Sequence, residues 1–476
     1  MTAWPRIVVL WSDGVLIGLA FALLAYAWHV RSTPARRELW RRALRNPATL
    51  CAGVVLGLFL LVALADSLHF RRALPQADGR TVHAAQVESV LDVALSALVE
   101  AREVSYSAPL ASRFHAKGVD GTPGHGRLRH GGAHLGDDTT QRWPDIALRS
   151  ALGAAAGGLA AALLVAGLTA LGAAGARERL GARLRRLVRG ETVLPWRAAA
   201  LTVIAIGIVA GAVTALATHY HVLGTDRTGN DVLLQALKSI RTAFVIGTLS
   251  TVATLPLAVG LGILAGYLGG WVDDLVQYLY TVLSSIPNVL LIAACVLMMQ
   301  VFIDTHPDLF ETGAERADVR LFLLCVILGL TGWAGLCRLV RAETLKLREL
   351  DYVQAATAFG VGPWRIMARH VFPNVVHLVI ITTVLDFSAL VLYEAVLSYV
   401  GVGVDPSMNS FGGMINLARS EMSRDPVVWW SFTAAFVFMV ALVLAANLFA
   451  DGVRDAFDPR AAVYRARRRP IEREAA

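Results

Sequence analysis

Apolar residues gather along this chain in long unbroken runs, without the strict alternation of a half-buried strand or the narrow stripe of a soluble helix. A helix needs about 20 apolar residues to cross the hydrocarbon core of a bilayer. Nine runs reach that length, near 5–29, 48–67, 150–173, 198–219, 242–268, 275–302, 320–340, 375–399 and 428–450. The pattern predicts an all-α polytopic membrane protein. The small-residue triplet at 25–27 mimics a signal-peptidase site. Cleavage there would strand an Arg-rich segment outside, so the first run, with Asp13 in it, is read as a retained span.

Composition supports the spans: 56% of residues are apolar, 17% are charged and the mean hydropathy is +0.56. The net charge of +8 does not point to nucleic acid, because the bases flank apolar runs and form no continuous stripe. They set orientation instead. Arg31, Arg36, Arg37, Arg41, Arg42 and Arg45 follow the first run; Arg177, Arg179, Arg183, Arg185, Arg186 and Arg189 follow the third. Arg341, Lys346, Arg348, Arg365 and Arg369 follow the seventh, and Arg454, Arg460, Arg465, Arg467, Arg468 and Arg469 follow the ninth. Cytoplasmic loops at these four places put the N-terminus outside and the C-terminus inside, in a bacterial inner membrane.

Residues 71–148 then form the one large outside segment. Its first half predicts an amphipathic helix, with Val87, Leu91, Ala94, Leu95 and Leu98 on one face and Glu88, Asp92, Glu100 and Glu103 opposite. Its second half is Gly-rich, and His115, His125, His130 and His134 are too irregularly spaced to predict a metal site. Cys51, Cys295, Cys325 and Cys337 lie in or beside apolar runs with no C-x-x-C spacing, so they read as buried free thiols.

Catalytic motifs are missing. There is no G-x-x-x-x-G-K-[ST], no H-E-x-x-H and no G-x-S-x-G. The chain is therefore read as catalysing no bond-breaking, without a cofactor or metal of its own, and any work against a gradient draws on ions or a partner. Asp386 and Glu394 are the intramembrane acids of the eighth run, about 80° apart around a helix. They read as polar contacts inside the bundle and, with Gly401 and Gly403, as pore or gate candidates.

One cytoplasmic stretch is heavily punctuated. In "DYVQAATAFGVGPWRIMARHVFPN" (351–374), Tyr352 to Phe359 predict a short helix with a low-relief surface at Ala355 and Ala356. Gly360 and Gly362 are expected to break it with positive φ. Pro363 suits the start of a second helix that ends towards Pro373. The product is a rigid elbow that another protein's groove can approach.

The elbow resembles the EAA loop of ABC importer permeases: Gln354, Ala355, Ala356, Gly360 and Pro373 keep its spacing, with Gln in place of Glu. "RHVFPN" resembles the ending used by the dipeptide/oligopeptide/nickel branch. "LGTDRTGNDV" (223–232), "GILAGYLGGWVDD" (262–274), "RLVRAETLKLRELDYVQAA" (338–356), "YEAVLSYVGVGVDPSMNSFGGMI" (393–415) and "DGVRDAFDP" (451–459) are similar to further segments of that branch, and 39–66 to its first span.

The resemblance implies a type I importer permease core of about six helices, here with about three extra spans. The organisation it suggests is an extra span at 1–38, the family's first span at 39–70, an outside insertion at 71–148, an inserted pair of spans at 149–220, the core at 221–459 with the coupling loop at 343–374, and a basic tail at 460–476. It implies a second permease subunit, two cytoplasmic ATP-binding subunits that use ATP and Mg, and an extracytoplasmic substrate-binding protein. Tyr352, Gln354, Ala355, Ala356, Gly360, Arg365, His370 and Pro373 would make the coupling loop. Peptides are the expected cargo. Nickel, opines or another small solute remain open, as do an ion-coupled secondary carrier and a membrane enzyme or assembly factor working through 71–148.

Overall fold

A computed structural model of the chain describes residues 6–71, 73–75, 81–83, 87–115, 126–135, 139–171, 180–310 and 312–457. The helices are α1 (Trp11–Ser32), α2 (Pro34–Ala43), α3 (Pro47–Ser67), α4 (Val90–Ala94), α5 (Ser96–Glu100), α6 (Arg142–Leu171), α7 (Leu180–Arg189), α8 (Trp196–Ala217) and α9 (Val232–Leu268). There follow α10 (Gly270–Ser285), α11 (Asn288–Thr305), α12 (Gly313–Gly332), α13 (Ala334–Arg348), α14 (Asp351–Ala358), α15 (Pro363–Ile366), α16 (Phe372–Val400), α17 (Phe411–Glu421) and α18 (Trp430–Phe457). Among the described residues eight helices are long and apolar enough to span a membrane, with α15 and α16 joined as one, or nine if α12 and α13, bent by 43°, count as one span. This is an all-α polytopic membrane protein.

The chain forms two compact units. The first comprises Met1–Val8, Pro34–Thr242 and Asn409–Gly452; the second comprises Val9–Thr33, Ala243–Met408 and Val453–Ala476.

In the first unit α6 and α8 pack backbone to backbone. A Cβ at Gly157 would collide with the Gly207 carbonyl oxygen, and one at Gly211 with that of Gly153. Small residues four apart on both helices permit this approach, which is how helices associate where lipid removes any hydrophobic drive. α3 meets α18 in a similar way, with Gly452 against Thr49 and Gly53 against Phe449. A small antiparallel sheet has the order β1 (Arg6–Val8), β2 (His69–Arg71), β5 (Glu88–Ser89), and β3 (Ala73–Pro75) pairs with β4 (Thr81–His83).

The amphipathic helix expected from Val87 to Glu103 is not continuous. Strand β5 and the two short helices α4 and α5 replace it, because Ser89 caps α4 and its hydroxyl also donates to Asp66 at 2.8 Å. Of its supposed polar face, Glu103 is only 4% exposed.

In the second unit α1 starts at Trp11, after strand β1. Asp13 is buried because its carboxylate accepts the N–H of Leu10 at 3.2 Å and so closes the helix start. The Ser12 backbone N–H donates to Asp318 of α12 at 3.1 Å, and its hydroxyl donates to the same carboxylate.

The run 275–302 is not a single span. It breaks at Ile286 and Pro287 into α10 and α11, and Ile286 is extended at φ −91° and ψ 133°, as a residue before proline prefers. Asp273 of α10 then receives both the Nε and an Nη of Arg341 of α13, at 2.5 and 2.7 Å. That paired guanidinium holds the Asp273 carboxyl below its usual range.

Candidate functional site: the elbow and the cavity behind it

The elbow is built as the punctuation predicts at Gly360 and differently elsewhere. Gly360 has φ +74°. Its N–H donates to Thr357 O at 3.0 Å and that of Val361 donates to Ala356 O at 3.1 Å, the paired bonds of a left-handed helix stop. Gly362 is ordinary extended backbone at φ −61° and ψ 146°, so the break rests on one glycine. Gly362 serves instead as the cap of α15, accepting from Arg365 and Ile366 at 3.0 and 3.1 Å, with Pro363 in the first turn.

Pro373 does not stop the second helix. A π-helical turn at Met367–Val371 leads directly into α16, and Pro373 sits in the first turn of α16. The wider turn relieves the clash and the lost donor that a proline imposes on the preceding carbonyl. The elbow's second arm and the eighth span are therefore one piece, Pro363–Val400.

The inner side of the elbow is clamped. Val353, Ile366, Met367, Val371 and Val375 are buried in one apolar cluster with Val340 and Leu347 of α13, Ala265 of α9 and Val276 of α10. Tyr352 closes the corner: its hydroxyl accepts from Asn374 Nδ2 at 3.1 Å, and its ring lies 6.3 Å from that of His370. Asn374 also donates to the His370 carbonyl at 2.6 Å.

The outer side is open. Gln354, Ala355, Gly360, Arg365 and Pro373 are exposed, while Ala356 and His370 are half-buried. Two aromatic residues stand out from this surface, Phe359 at 88% and Trp364 at 72% exposure. They flank the glycine break, and aromatic residues beside a chain reversal are the signal that could have marked them.

Behind the elbow, within the same unit, lies a cavity of about 290 Å³ walled by α9, α11, α12, α13 and α16. Asp386 lines it, together with Thr251, Thr254, Asn288, Thr382, Thr383 and Tyr393. The other pore candidates do not. Glu394 is buried and accepts the Ser398 hydroxyl at 2.6 Å. Gly401, at φ +91°, ends α16 in the same left-handed manner as Gly360. Gly403 lies so close to Ser398 that a Cβ would overlap its hydroxyl.

A second polar centre, in the first unit, has no local signature in the sequence. Glu103 accepts the backbone N–H groups of Arg129, His130 and Gly131 at 2.9, 2.8 and 3.3 Å. His221 lies between Glu103 and Asp231. Nearby, the Thr225 hydroxyl accepts the Ser107 N–H at 2.7 Å, and the Thr225 carbonyl accepts the indole N–H of Trp430 at 2.9 Å. Among the described residues no group of three or more His, Cys, Asp or Glu side chains could hold a metal ion. His125 and the tail at 460–476 lie outside the described residues.

Comparison with known proteins matches residues 258–463 to the family described as binding-protein-dependent transport system inner membrane component. The oligopeptide transport system permease protein OppC of Mycobacterium tuberculosis H37Rv is 32% identical over 239 residues, which are 50% of this chain and 76% of the relative. The chain belongs to this family. Other relatives are the glutathione transport system permease protein GsiD of Pectobacterium atrosepticum (32% identical, 50% of this chain and 73% of the relative) and the dipeptide transport system permease protein DppC of Lactococcus lactis (29%, 51% and 64%). The region matched to the family contains the elbow and Asp386. A component of a binding-protein-dependent system works with other transporter subunits, in the inner membrane.

Proposed function

We propose that this chain is the non-catalytic permease subunit of an ATP-driven peptide importer, with its substrate path running through the second unit. The elbow carries the reading. An exposed surface with two projecting aromatic residues is fused on its inner side to α9, α10 and α13 and continues without a break into α16. A force applied at Phe359 and Trp364 would tilt α13 and α16 together, since close-packed elements shift as rigid bodies between discrete arrangements. Two cytoplasmic ATP-binding subunits would supply that force, one of them receiving this elbow in a groove. A second permease subunit would complete the path, and an extracytoplasmic binding protein would deliver cargo.

Peptide cargo is supported by the names of the relatives, which transport oligopeptides, dipeptides and glutathione. The basic helices α2 and α7 favour cytoplasmic placement of the loops that contain them, with the N-terminus outside and the C-terminus inside. The test is ATP-dependent uptake of radiolabelled tri-alanine into vesicles holding the purified chain together with its second permease, ATPase and binding-protein subunits. Uptake that persists without ATP and follows an imposed ion gradient would favour a secondary carrier and defeat the reading.

A further inference from the structure

The wall of the cavity in the second unit carries one charged side chain, and the elbow does not use it. Asp386 lies within the Pro363–Val400 span. Among the described residues it has no hydrogen-bond or ion-pair partner. A carboxylate inside a span is costly to insert and marks a functional site when it faces a cavity. Three of the five hydroxyl-bearing residues on the wall are already committed as donors, while the buried Thr383 hydroxyl has no partner among the described residues. Thr251 donates to Gly247 O at 2.7 Å, Thr254 to Ser250 O at 2.9 Å, and Thr382 to Leu378 O at 3.0 Å. What they can still offer is oxygen lone pairs. The one charge on the wall is negative, which suits a ligand that carries positive charge and N–H donors. The cavity, at about 290 Å³, is near the lower limit of small-molecule sites and far larger than a bare ion needs.

We infer that Asp386 is a cation-recognition site in the transport path, taking the ammonium group of the cargo as it passes. The site stands on the cavity and its chemistry; the identity of the cargo as a peptide rests on the proposed function. Glu394 has no such role, being buried against Ser398 and absent from the wall.

Two measurements test it. In full-length chain with Cys51, Cys295, Cys325 and Cys337 replaced by Ala, Ala389→Cys places a thiol on the same cavity wall one helical turn from Asp386. Its modification rates by a trimethylammonium-bearing and a sulfonate-bearing methanethiosulfonate are then compared in complexes with Asp386 and with Asp386→Asn. The cationic reagent is expected to be favoured at least tenfold more with Asp386 than with Asn, and equal ratios overturn the site. In the assembled transporter, Asp386→Asn is expected to lower tri-alanine uptake at least tenfold with normal ATPase co-purification, and Asp386→Glu to recover it. Full uptake by the Asn variant overturns the recognition role. If the wild-type transporter imports no tri-alanine, the peptide reading fails, while the thiol rates still decide whether the site exists.

Discussion

His221 Nδ1 lies 2.8 Å from Asp231 Oδ2, with both side chains closed off from solvent. The other ring nitrogen lies 3.5 Å from Glu103 Oε1, an ion-pair distance without hydrogen-bond alignment. Burial alone would lower the His221 pKa, yet the two carboxylates raise it to about 9. Burial likewise pushes Glu103 up. His221 and the N–H groups of His130, Arg129 and Gly131 outweigh it and hold the carboxyl at about 2. Glu103 and Arg129 to Gly131 are thereby fastened to His221 and Asp231, ahead of α9.

The fastening predicts a pH dependence. His221, raised from 6.5, stabilises the fold fully below pH 6.5 and loses that contribution as pH rises through about 9. Glu103, lowered from 4.5, contributes above that value and loses it as pH falls through about 2. The His221 shift corresponds to about 3 kcal/mol, counted once for the coupled groups. Thermal unfolding of the detergent-solubilised chain should show a melting temperature that declines between pH 6.5 and 9. Glu103→Gln, which leaves a buried imidazolium half-paired, should cost about 3–5 kcal/mol at pH 6.5. An unchanged melting temperature for Glu103→Gln would show that the centre carries no stability.

The elbow predicts a separation of folding from coupling. A Cβ at Gly360 meets nothing within 4 Å, so Gly360→Asp is tolerated by the chain itself apart from about 1 kcal/mol of left-handed strain. In a partner's groove the added carboxylate would be unpaired and cost several kcal/mol more. Membrane levels should stay normal while co-purifying ATPase falls by two decades or so, at about 1.4 kcal/mol per decade. Ala355→Glu should act in the same direction less severely, and Arg369→Gln should do little. Complete ATPase retention by Gly360→Asp would reduce the stretch to a connecting loop.

Phe359 and Trp364 give a sharper test, since neither supports the fold at 88% and 72% exposure. Exposed aromatic anchors that become buried at an interface typically account for about 2–4 kcal/mol each on truncation. Phe359→Ala and Trp364→Ala should each weaken ATPase co-purification at least tenfold without lowering the melting temperature of the chain. A drop in melting temperature with no loss of ATPase would place both residues in the fold and outside the interface.

What the sequence made legible follows from the range of the forces involved. The spans could be read because lipid demands length and apolarity locally, and Gly360 because a left-handed residue has a strong local preference. Pro287 and Pro373 were read less well. The first splits an apolar run that hydropathy joins, and the second is carried through by a π-helical turn with no sequence signature of its own. In the sequence Glu103 falls on a polar face because its neighbours along the chain suggest one. Its actual partners, Arg129 to Gly131 and His221, lie 26 or more residues away. Asp386 and Glu394 looked alike in one span, and only the packing of α16 separates a cavity-lining acid from a buried one.

Orientation supplies the remaining prediction. Arg183, Arg185, Arg186 and Arg189 of α7 lie between the α6 and α8 spans, and moving them across a bilayer is costly enough that such loops stay cytoplasmic. The segment before α6 is then expected outside. An inserted pair of spans reverses direction twice, so the α9-to-α18 region is expected to keep the orientation it would have without them, with the elbow on the cytoplasmic side. Val104, 62% exposed, and Val188, 70% exposed, report the two sides. Each is changed to cysteine in the cysteine-free chain, and intact spheroplasts are treated with a membrane-impermeant maleimide. The Val104→Cys chain should react in intact spheroplasts, and the Val188→Cys chain only after the membrane is opened. If the Val188→Cys thiol reacts from outside, α7 is extracytoplasmic, and α2, α7 and the elbow no longer share one side of the membrane.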